Sequence, residues 1–382
     1  MSHSYYIPTY DECREICDAN GNLTFYESKH VVDGYNVSIF NYRLAMPPLF
    51  EAPVPGKSMK AHEMRGLTFV FNPDGTLFKR YLLMDKFFNI NQAACSMYDV
   101  VKNYTIKSVT NKEDGSISSF IRLPNKKIVA RSKTAFESDQ AIEVNKILDT
   151  NSKLSEFLNW CFDNDIMPIF EYVSPKNRVV LKYPKTDLVL LLMRNNNTGE
   201  YYNLSDFEDK FGGLSIVQFY KYNHIDELMN QQLTTENIEG WVVQFTNGKM
   251  VKVKVKWYCD LHGIFTEDIN RENTLIEYII DEKIDDILSQ LGGDPEKTAE
   301  VDAVEEVINN YILKSSAEVN ELMKDFNGSL KDFSLKYVKH KWFPVAIGVA
   351  RGSDLVDLLK DKIKKDTKHL MAAREWLTKN RK

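Results

Sequence analysis

The chain has 382 residues, of which 43% are hydrophobic and 27% charged, with a formal net charge of −5. This is the composition of an ordinary globular protein, and it excludes a disordered, collagen-like or disulfide-stapled chain. The longest purely apolar run, Leu188 to Met193, is far too short to cross a bilayer, and Met1-Ser2-His3-Ser4 lacks the basic flank and apolar core of a secretion signal. A cytoplasmic protein without membrane contact is expected.

Up to about residue 260 the chain reads mainly as short strands. Val37 to Tyr42, Gly66 to Phe71, Ser116 to Leu123, Lys127 to Arg131, Ile169 to Val173, Val179 to Tyr183 and Leu188 to Met193 are rich in β-branched or aromatic residues. Pro73-Asp74-Gly75, Asp114-Gly115, Pro124-Asn125, Asn195-Asn196-Asn197 and Asn247-Gly248 supply turns between them. Helical patterns interrupt near Glu137 to Leu148 and Ser152 to Phe162. Beyond residue 265 the period changes: Val301, Val304, Ile308, Tyr311 and Ile312 fall at helical spacing, and Thr274 to Leu291, Ala317 to Phe326, Asp354 to Lys365 and Lys368 to Lys379 are further helices, the third with Ser353 as its expected cap. The expected fold is α+β, a mixed domain over residues 1–262 followed by a smaller helical domain over 263–382. Cys13, Cys17, Cys95, Cys161 and Cys259 are scattered and read as reduced thiols; Cys13 and Cys17, four apart, fall on one helix face, and no second Cys/His pair completes a zinc set.

The charge is uneven. Residues 331–382 hold 14 Lys+Arg against 6 Asp+Glu, leaving 35 against 48 in the rest. A basic tail on an acidic body points to a nucleic-acid partner, although exposed helix faces often carry such charge.

The most informative tetrad is Lys112-Glu113-Asp114-Gly115. Its Lys-x-Asp-Gly pattern arises by chance in roughly one chain in ten of this length, and its bland reading is a solvated lysine in a hairpin turn. Its chemical reading is a nucleophile. An amine attacks phosphorus only when neutral, and a free lysine ionises near pH ~10.4, so cations are expected close to Lys112. They would also stabilise phosphoryl oxygens during transfer. Met250-Val251-Lys252-Val253-Lys254-Val255-Lys256 alternates strictly, which in a strand puts Lys252, Lys254 and Lys256 on one face; the alternative is an edge strand blunted by lysines. Just upstream, Glu239 before Gly240 is either a metal-holding carboxylate or a turn residue.

These segments resemble the covalent nucleotidyltransferases, the superfamily of DNA ligases, RNA ligases and mRNA capping enzymes. Lys112-Glu113-Asp114-Gly115-Ser116 is similar to motif I, Phe170-Glu171-Tyr172 to motif III, Glu239-Gly240-Trp241-Val242-Val243 to motif IV and Val251-Lys252-Val253-Lys254 to motif V, in the right order and spacing. Within the superfamily the chain resembles the bacteriophage T4-type RNA ligase 1 family, through Glu63-Met64-Arg65-Gly66, Lys86-Phe87-Phe88-Asn89, Phe170 to Leu181 with Ser174-Pro175-Lys176-Asn177-Arg178 inside it, Glu236 to Gly240 and Trp257-Tyr258. The likeness fades at the N-terminus and over Glu267 to Phe343, and returns at Gly348-Val349-Ala350-Arg351-Gly352.

The resemblance implies a nucleotidyltransferase domain of antiparallel sheets with flanking helices, then an all-helical C-terminal domain with a possible RNA or tRNA role. It implies an ATP-dependent RNA ligase, a monomer, that joins single-stranded 5′-phosphate and 3′-hydroxyl RNA ends in RNA repair, broken tRNA included, with Mg²⁺ or Mn²⁺. Carried over by residue, Lys112 takes the adenylate, Glu171 binds the ribose, and Lys252 and Lys254 contact nucleotide phosphates. Arg65 and Lys86 grip the triphosphate, Lys133 sits near it and Tyr42 lies in the ATP pocket. Glu239 and Asp285 are metal candidates, and Tyr258 supports activity. Each has a bland counterpart: Arg65 as a surface arginine, Lys86 as a snorkelling lysine, Phe87 and Phe88 as core. Glu171 in an apolar strand needs a partner. The sequence departs from the family at Arg131-Ser132-Lys133-Thr134-Ala135, which bears on Lys133, and in the insertion-like Pro53 to Ala61.

DNA ligases and capping enzymes place a small strand barrel after motif V, where this chain reads helical. GTP-dependent capping is the alternative enzyme, and a catalytically dead RNA-binding protein the alternative class. The RNA surface expected in either case is Lys336, Lys339, Lys341, Lys362, Lys364, Lys365, Lys368 and Arg374, with Tyr337 and Trp342 as base contacts or core.

Overall fold

The structure is a computed structural model that describes residues 5–177, 179–261, 272–284 and 295–381. The chain divides into two compact units, Met1–Gly263 and Ile264–Lys382.

The first unit opens with a helix, Tyr10–Ala19, to which only the Cys13–Cys17 spacing pointed. Thr9 and Glu12 cap it reciprocally, each side chain bonding the other's backbone N–H. Cys13 and Cys17 do share its buried face. Among the described residues fourteen strands follow: β1 Phe25–Val32, β2 Tyr35–Tyr42, β3 Leu67–Phe71, β4 Leu77–Tyr81, β5 Phe88–Asn89, β6 Ile106–Asn111, β7 Ser116–Arg122, β8 Ile128–Arg131, β9 Ile166–Val173, β10 Asp187–Asn195, β11 Ser215–Ile216, β12 Phe219–Tyr220, β13 Gly240–Phe245 and β14 Met250–Lys254. They form an antiparallel meander β1-β2-β3-β4 and two five-stranded sheets, ordered β11-β10-β9-β7-β8 and β12-β6-β13-β14-β5. Only β10–β11 and β14–β5 are parallel pairs among these ladders.

One large core joins the meander, the β9-centred sheet and helices Asp139–Thr150 and Ser152–Asp163 through Phe40, Phe69, Phe120, Phe157 and Phe170. A separate core of Val109, Trp241, Val243, Phe245, Val251 and Val253 backs the third sheet. The valines of the alternating segment therefore face inward, as period-two burial requires.

Two expectations for this unit fail. Val179 to Tyr183 is not a strand: the N–H groups of Val180 and Leu181 donate to a carboxylate oxygen of Asp114, at 2.8 and 2.6 Å, in place of a ladder. The lysine strand ends at Lys254, so Lys256 does not share its face; it opens the helix Lys256–Leu261 and is exposed.

The described part of the second unit is helical, with Glu272–Ile280, a long Pro295–Met323, Leu330–Tyr337, Phe343–Ala350, Leu355–Asp366 and Leu370–Asn380. The two patterns expected at 301–312 and 317–326 belong to the single long helix, apart from residues 324–326. Asp354, not Ser353, caps Leu355–Asp366, its carboxylate accepting from Val356 and Asp357. No helix of the described residues is long and apolar enough to cross a membrane.

Candidate active site

The sheets converge on the Lys112 turn. Asn111, the last residue of β6, pairs with Trp241, and the Lys112 N–H donates to the Gly240 carbonyl at 2.9 Å. Glu239 just precedes β13, whose neighbour β14 sets Lys254 opposite Gly240 and Lys252 opposite Val242. Lys112 Nζ lies 2.6 Å from Glu239 Oε1, and Lys254 Nζ lies 3.0 Å from the same atom. One oxygen thus holds two ammonium groups side by side.

This packing requires glycine at two places. A Cβ on Gly240, whose φ is +152°, would stand 2.1 Å from the Val253 carbonyl oxygen. A Cβ on Gly115 would stand 2.3 Å from the carbonyl oxygen of Tyr172. The Glu-Gly and Asp-Gly pairs are what let two strands close against Lys112.

Glu171 reaches the same place from β9, the central strand of its sheet, every residue of which is buried. Its partner is the Gly115 N–H, at 3.2 Å. Burial pushes its carboxyl up to about 8, against the pull of Lys112 and Arg65 and with a further push from Glu239. Glu239 is buried too, which would raise it, but Lys112 and Lys254 outweigh burial and hold its carboxyl below the ordinary carboxylate range. Lys112 and Glu171 line a pocket of about 240 Å³ together with Arg65, Glu113 and Lys252 among others. Arg65 Nη1 donates to the Met84 carbonyl, and Lys252 Nζ sits 5.2 Å over the buried Phe87 ring.

A second group gathers around Tyr42, with Lys86 and Lys133 lying 5.3 and 5.0 Å from its ring centroid. Lys86 is almost fully buried, its ammonium also over Phe50 and Phe88, so it is not a snorkelling lysine. Despite the unfamiliar residues after it, Lys133 is fixed here, its carbonyl accepting from Asn41 at 2.9 Å. Asp85 and Phe87 line both the Lys112 pocket and the neighbouring one that contains Lys86.

Lys112 therefore has a cation close by, as expected, in the Lys254 ammonium on the shared oxygen, and it also meets an anion, Glu239, directly. The sequence also passed over several residues. Tyr258 donates to Asp114 Oδ1 at 2.8 Å while Val180 and Leu181 donate to its other oxygen, making Asp114 the hub that ties the turn to the helix after β14 and to the segment after β9. Arg194, fully buried, forms a bidentate pair with Glu63 at 2.8 and 3.1 Å, bracing the segment that carries Arg65. Asp114 stood in the quoted tetrad; Arg194 had no local signal beyond a charge in an apolar strand. Asp285 and Arg178 lie outside the described residues.

In the second unit the basic tail meets acidic partners. Lys336, Lys341, Lys362, Lys364 and Arg374 pair with Asp325, Glu318, Asp366, Asp281 and Glu272. Four of these pairs join the tail to acidic residues before it, and Lys362–Asp366 lies within the tail itself. Trp342 is buried and donates its indole N–H to Glu318, so its role here is in the core.

The profile described as RNA ligase, of the T4 type 1, matches residues 63–258. The chain belongs to the RNA ligase family. A Thermovibrio ammonificans protein provisionally named an RNA ligase is 24% identical over 311 residues, 78% of this chain and 76% of that protein. Among solved structures, an archaeal ATP-dependent RNA ligase is similar at 14% identity and a TM-score of 0.47, covering 80% of this chain and 79% of its own. A Naegleria gruberi RNA ligase variant with ATP and Mn is similar at 13% identity and a TM-score of 0.38, covering 47% and 58%. The matched family segment spans β3 to β14 and ends at Tyr258, so each of Arg65, Lys86, Lys112, Lys133, Glu171, Glu239, Lys252 and Lys254 falls inside the RNA ligase match, and Tyr42 outside it.

Proposed function

We propose that this member of the RNA ligase family uses ATP to join a 5′-phosphate RNA end to a 3′-hydroxyl end, through an adenylate on Lys112 and then on the RNA. The observation that carries this reading is the Lys112 amine resting on the Glu239 oxygen it shares with Lys254, inside a pocket with Glu171, Arg65 and Lys252. In the first step the neutral amine attacks the α-phosphorus. The N–P bond forms as the bond to pyrophosphate breaks, and the amine's proton passes to solvent. Lys252 and Lys254 face the phosphates, and Arg65, Lys86 and Lys133 the triphosphate tail, where their fixed charge offsets that of the leaving group. Glu171, its carboxyl protonated at neutral pH, has a hydroxyl to offer the ribose.

A divalent ion fits the donor chemistry here. Glu239, whose carboxyl Lys112 and Lys254 hold below the ordinary range, supplies hard carboxylate oxygens, and no group of three or more His, Cys, Asp or Glu side chains is gathered among the described residues. That suits Mg²⁺ or Mn²⁺ arriving on the nucleotide and held by one or two carboxylates plus phosphates. Such an ion supplies charge neutralisation on the phosphoryl oxygens.

The domain division at 262, a helical unit that holds RNA, a broken tRNA as substrate, a monomeric state and a cytoplasmic location in a bacterial or phage-infected cell belong to the same proposal. Labelled ATP or GTP with Mg²⁺, followed by a denaturing gel, tests it. The expected result is protein labelled from ATP and no label on Lys112→Ala. Preference for GTP would make the chain a capping-type enzyme, and no label from either would make it a dead RNA-binding protein.

A further inference from the structure

We propose that Tyr183 is a positioning residue for the nucleophile: its hydroxyl bridges the two residues that follow Lys112 and fixes the turn from which that amine attacks. The hydroxyl accepts the Asp114 N–H at 2.9 Å and donates to Glu113 Oε2 at 2.9 Å. The other oxygen of Glu113 accepts from Asn111 Nδ2 at 2.7 Å. Lys112 is thereby flanked on both sides by one bridge, Asn111–Glu113–Tyr183, while its own side chain reaches Glu239. The Tyr183 phenol remains a donor, since burial pushes its ionisation far above the ordinary range.

The bridge does two things that packing alone would not need. It sets the angle at which the chain leaves β6, and a misplacement of about 1 Å at a reacting atom costs on the order of 100-fold in rate. It also occupies Glu113. That carboxylate lines the same pocket as Lys112, Arg65 and Lys252. Released, it would compete for those cations and repel an incoming triphosphate. The turn does not depend on Tyr183 for its existence, because Asp114 holds it independently through Val180, Leu181 and Tyr258.

The inference rests on the lysyl-adenylate reading and confines Tyr183 to the first step. There the N–P bond forms, the bond to pyrophosphate breaks and pyrophosphate leaves with the electron pair. Joining of an RNA already carrying a 5′-adenylate makes no use of the Lys112 amine as nucleophile. The experiment compares Tyr183→Phe with wild type in two assays on the full chain: single-turnover self-labelling by ATP and Mg²⁺, and ATP-free joining of a pre-adenylated RNA. Self-labelling should slow by about 10- to 100-fold, with pre-adenylated joining within about threefold of wild type and an unchanged denaturation midpoint. Glu113→Ala breaks the same bridge and also removes the freed carboxylate, so it should slow labelling no more than Tyr183→Phe, and the double variant should match Glu113→Ala, the signature of a shared contact. Glu113→Ala, at a half-buried position, reads the same bridge should Tyr183→Phe not fold. Labelling of both variants at the wild-type rate, or a parallel fall in both assays, overturns the inference alone. A wild-type chain that takes no label on Lys112 overturns the reading beneath it, and the inference with it.

Discussion

Lys112 Nζ stands 2.6 Å from Glu239 Oε1, so the amine proposed to attack phosphorus is held by a carboxylate. Because Lys254 rests on the same atom, the carboxylate also keeps two like charges adjacent that would otherwise part. Glu239→Ala should therefore displace both lysines and lower single-turnover self-labelling by about 100-fold or more. Glu239→Gln, which retains an oxygen for one lysine, should fall between. Equal labelling by Glu239→Ala and wild type would show that the contact has no part in the first step.

Glu171 and Glu239 should oppose each other in stability against pH. Glu171 is raised from an ordinary 4.5 to about 8, so between these values the folded chain binds the extra proton and stability falls as pH rises, by at most about 1.4 kcal/mol per pH unit. Glu239 is lowered, so its contribution is present above the unfolded value and lost on acidification. Urea midpoints from pH 5 to 8 should fall for wild type and stay flatter for Glu171→Gln, which should be the more stable of the two at pH 8. Parallel curves would refute the burial of a neutral Glu171.

The residues proposed to carry chemistry were legible where the signal is local. Lys112, Glu239, Lys252 and Lys254 sit in short patterns of charge, glycine and valine, and strands such as β2, β9 and β10 follow from runs of β-branched and aromatic residues. What stayed hidden depends on a partner distant in sequence. Val179 to Tyr183 has strand composition, yet its N–H groups go to Asp114, more than sixty residues away. Lys256 continues an alternation that the onset of a helix cancels. The charge of the tail looked surplus until its acidic partners, Glu272, Asp281, Glu318 and Asp325, were placed beside it.

That pairing yields a prediction about salt. If the second unit holds RNA, Lys339, Lys365 and Lys368 are its better phosphate ligands, since Lys336, Lys341, Lys364 and Arg374 already face carboxylates. Removing one lysine that neutralises a phosphate lowers the log–log salt slope of single-strand binding by about 0.7. The triple alanine variant at 339, 365 and 368 should thus show a shallower slope. An unchanged slope and affinity would place RNA elsewhere.

Gly240→Ala places a methyl group 2.1 Å from the Val253 carbonyl oxygen at a backbone φ of +152°. β13 and β14 would have to separate beside Glu239 and at Lys254. A loss of about 2 kcal/mol or more is expected, at the upper part of the range for overpacked sites, together with loss of self-labelling. A normal denaturation midpoint and normal labelling would contradict the strand spacing described here.

Arg194 and Glu63 offer the strongest test of how the site is supported from behind. Arg194 is fully enclosed, gives two bonds to Glu63 and also donates to the Leu83 and Gly199 carbonyls. Arg194→Met leaves Glu63 buried without its counter-ion, which should cost about 3–5 kcal/mol. Replacing both partners, Glu63→Gln with Arg194→Met, removes the stranded charge and should recover part of that loss. Glu63 lies two residues before Arg65 and Leu83 lies just before Met84, whose carbonyl Arg65 bonds. The rescued double variant should therefore remain weaker than wild type in ATP concentration dependence, because the Arg65 segment has lost its brace. Full recovery of both stability and ATP dependence would mean that the pair supports the core and not the site.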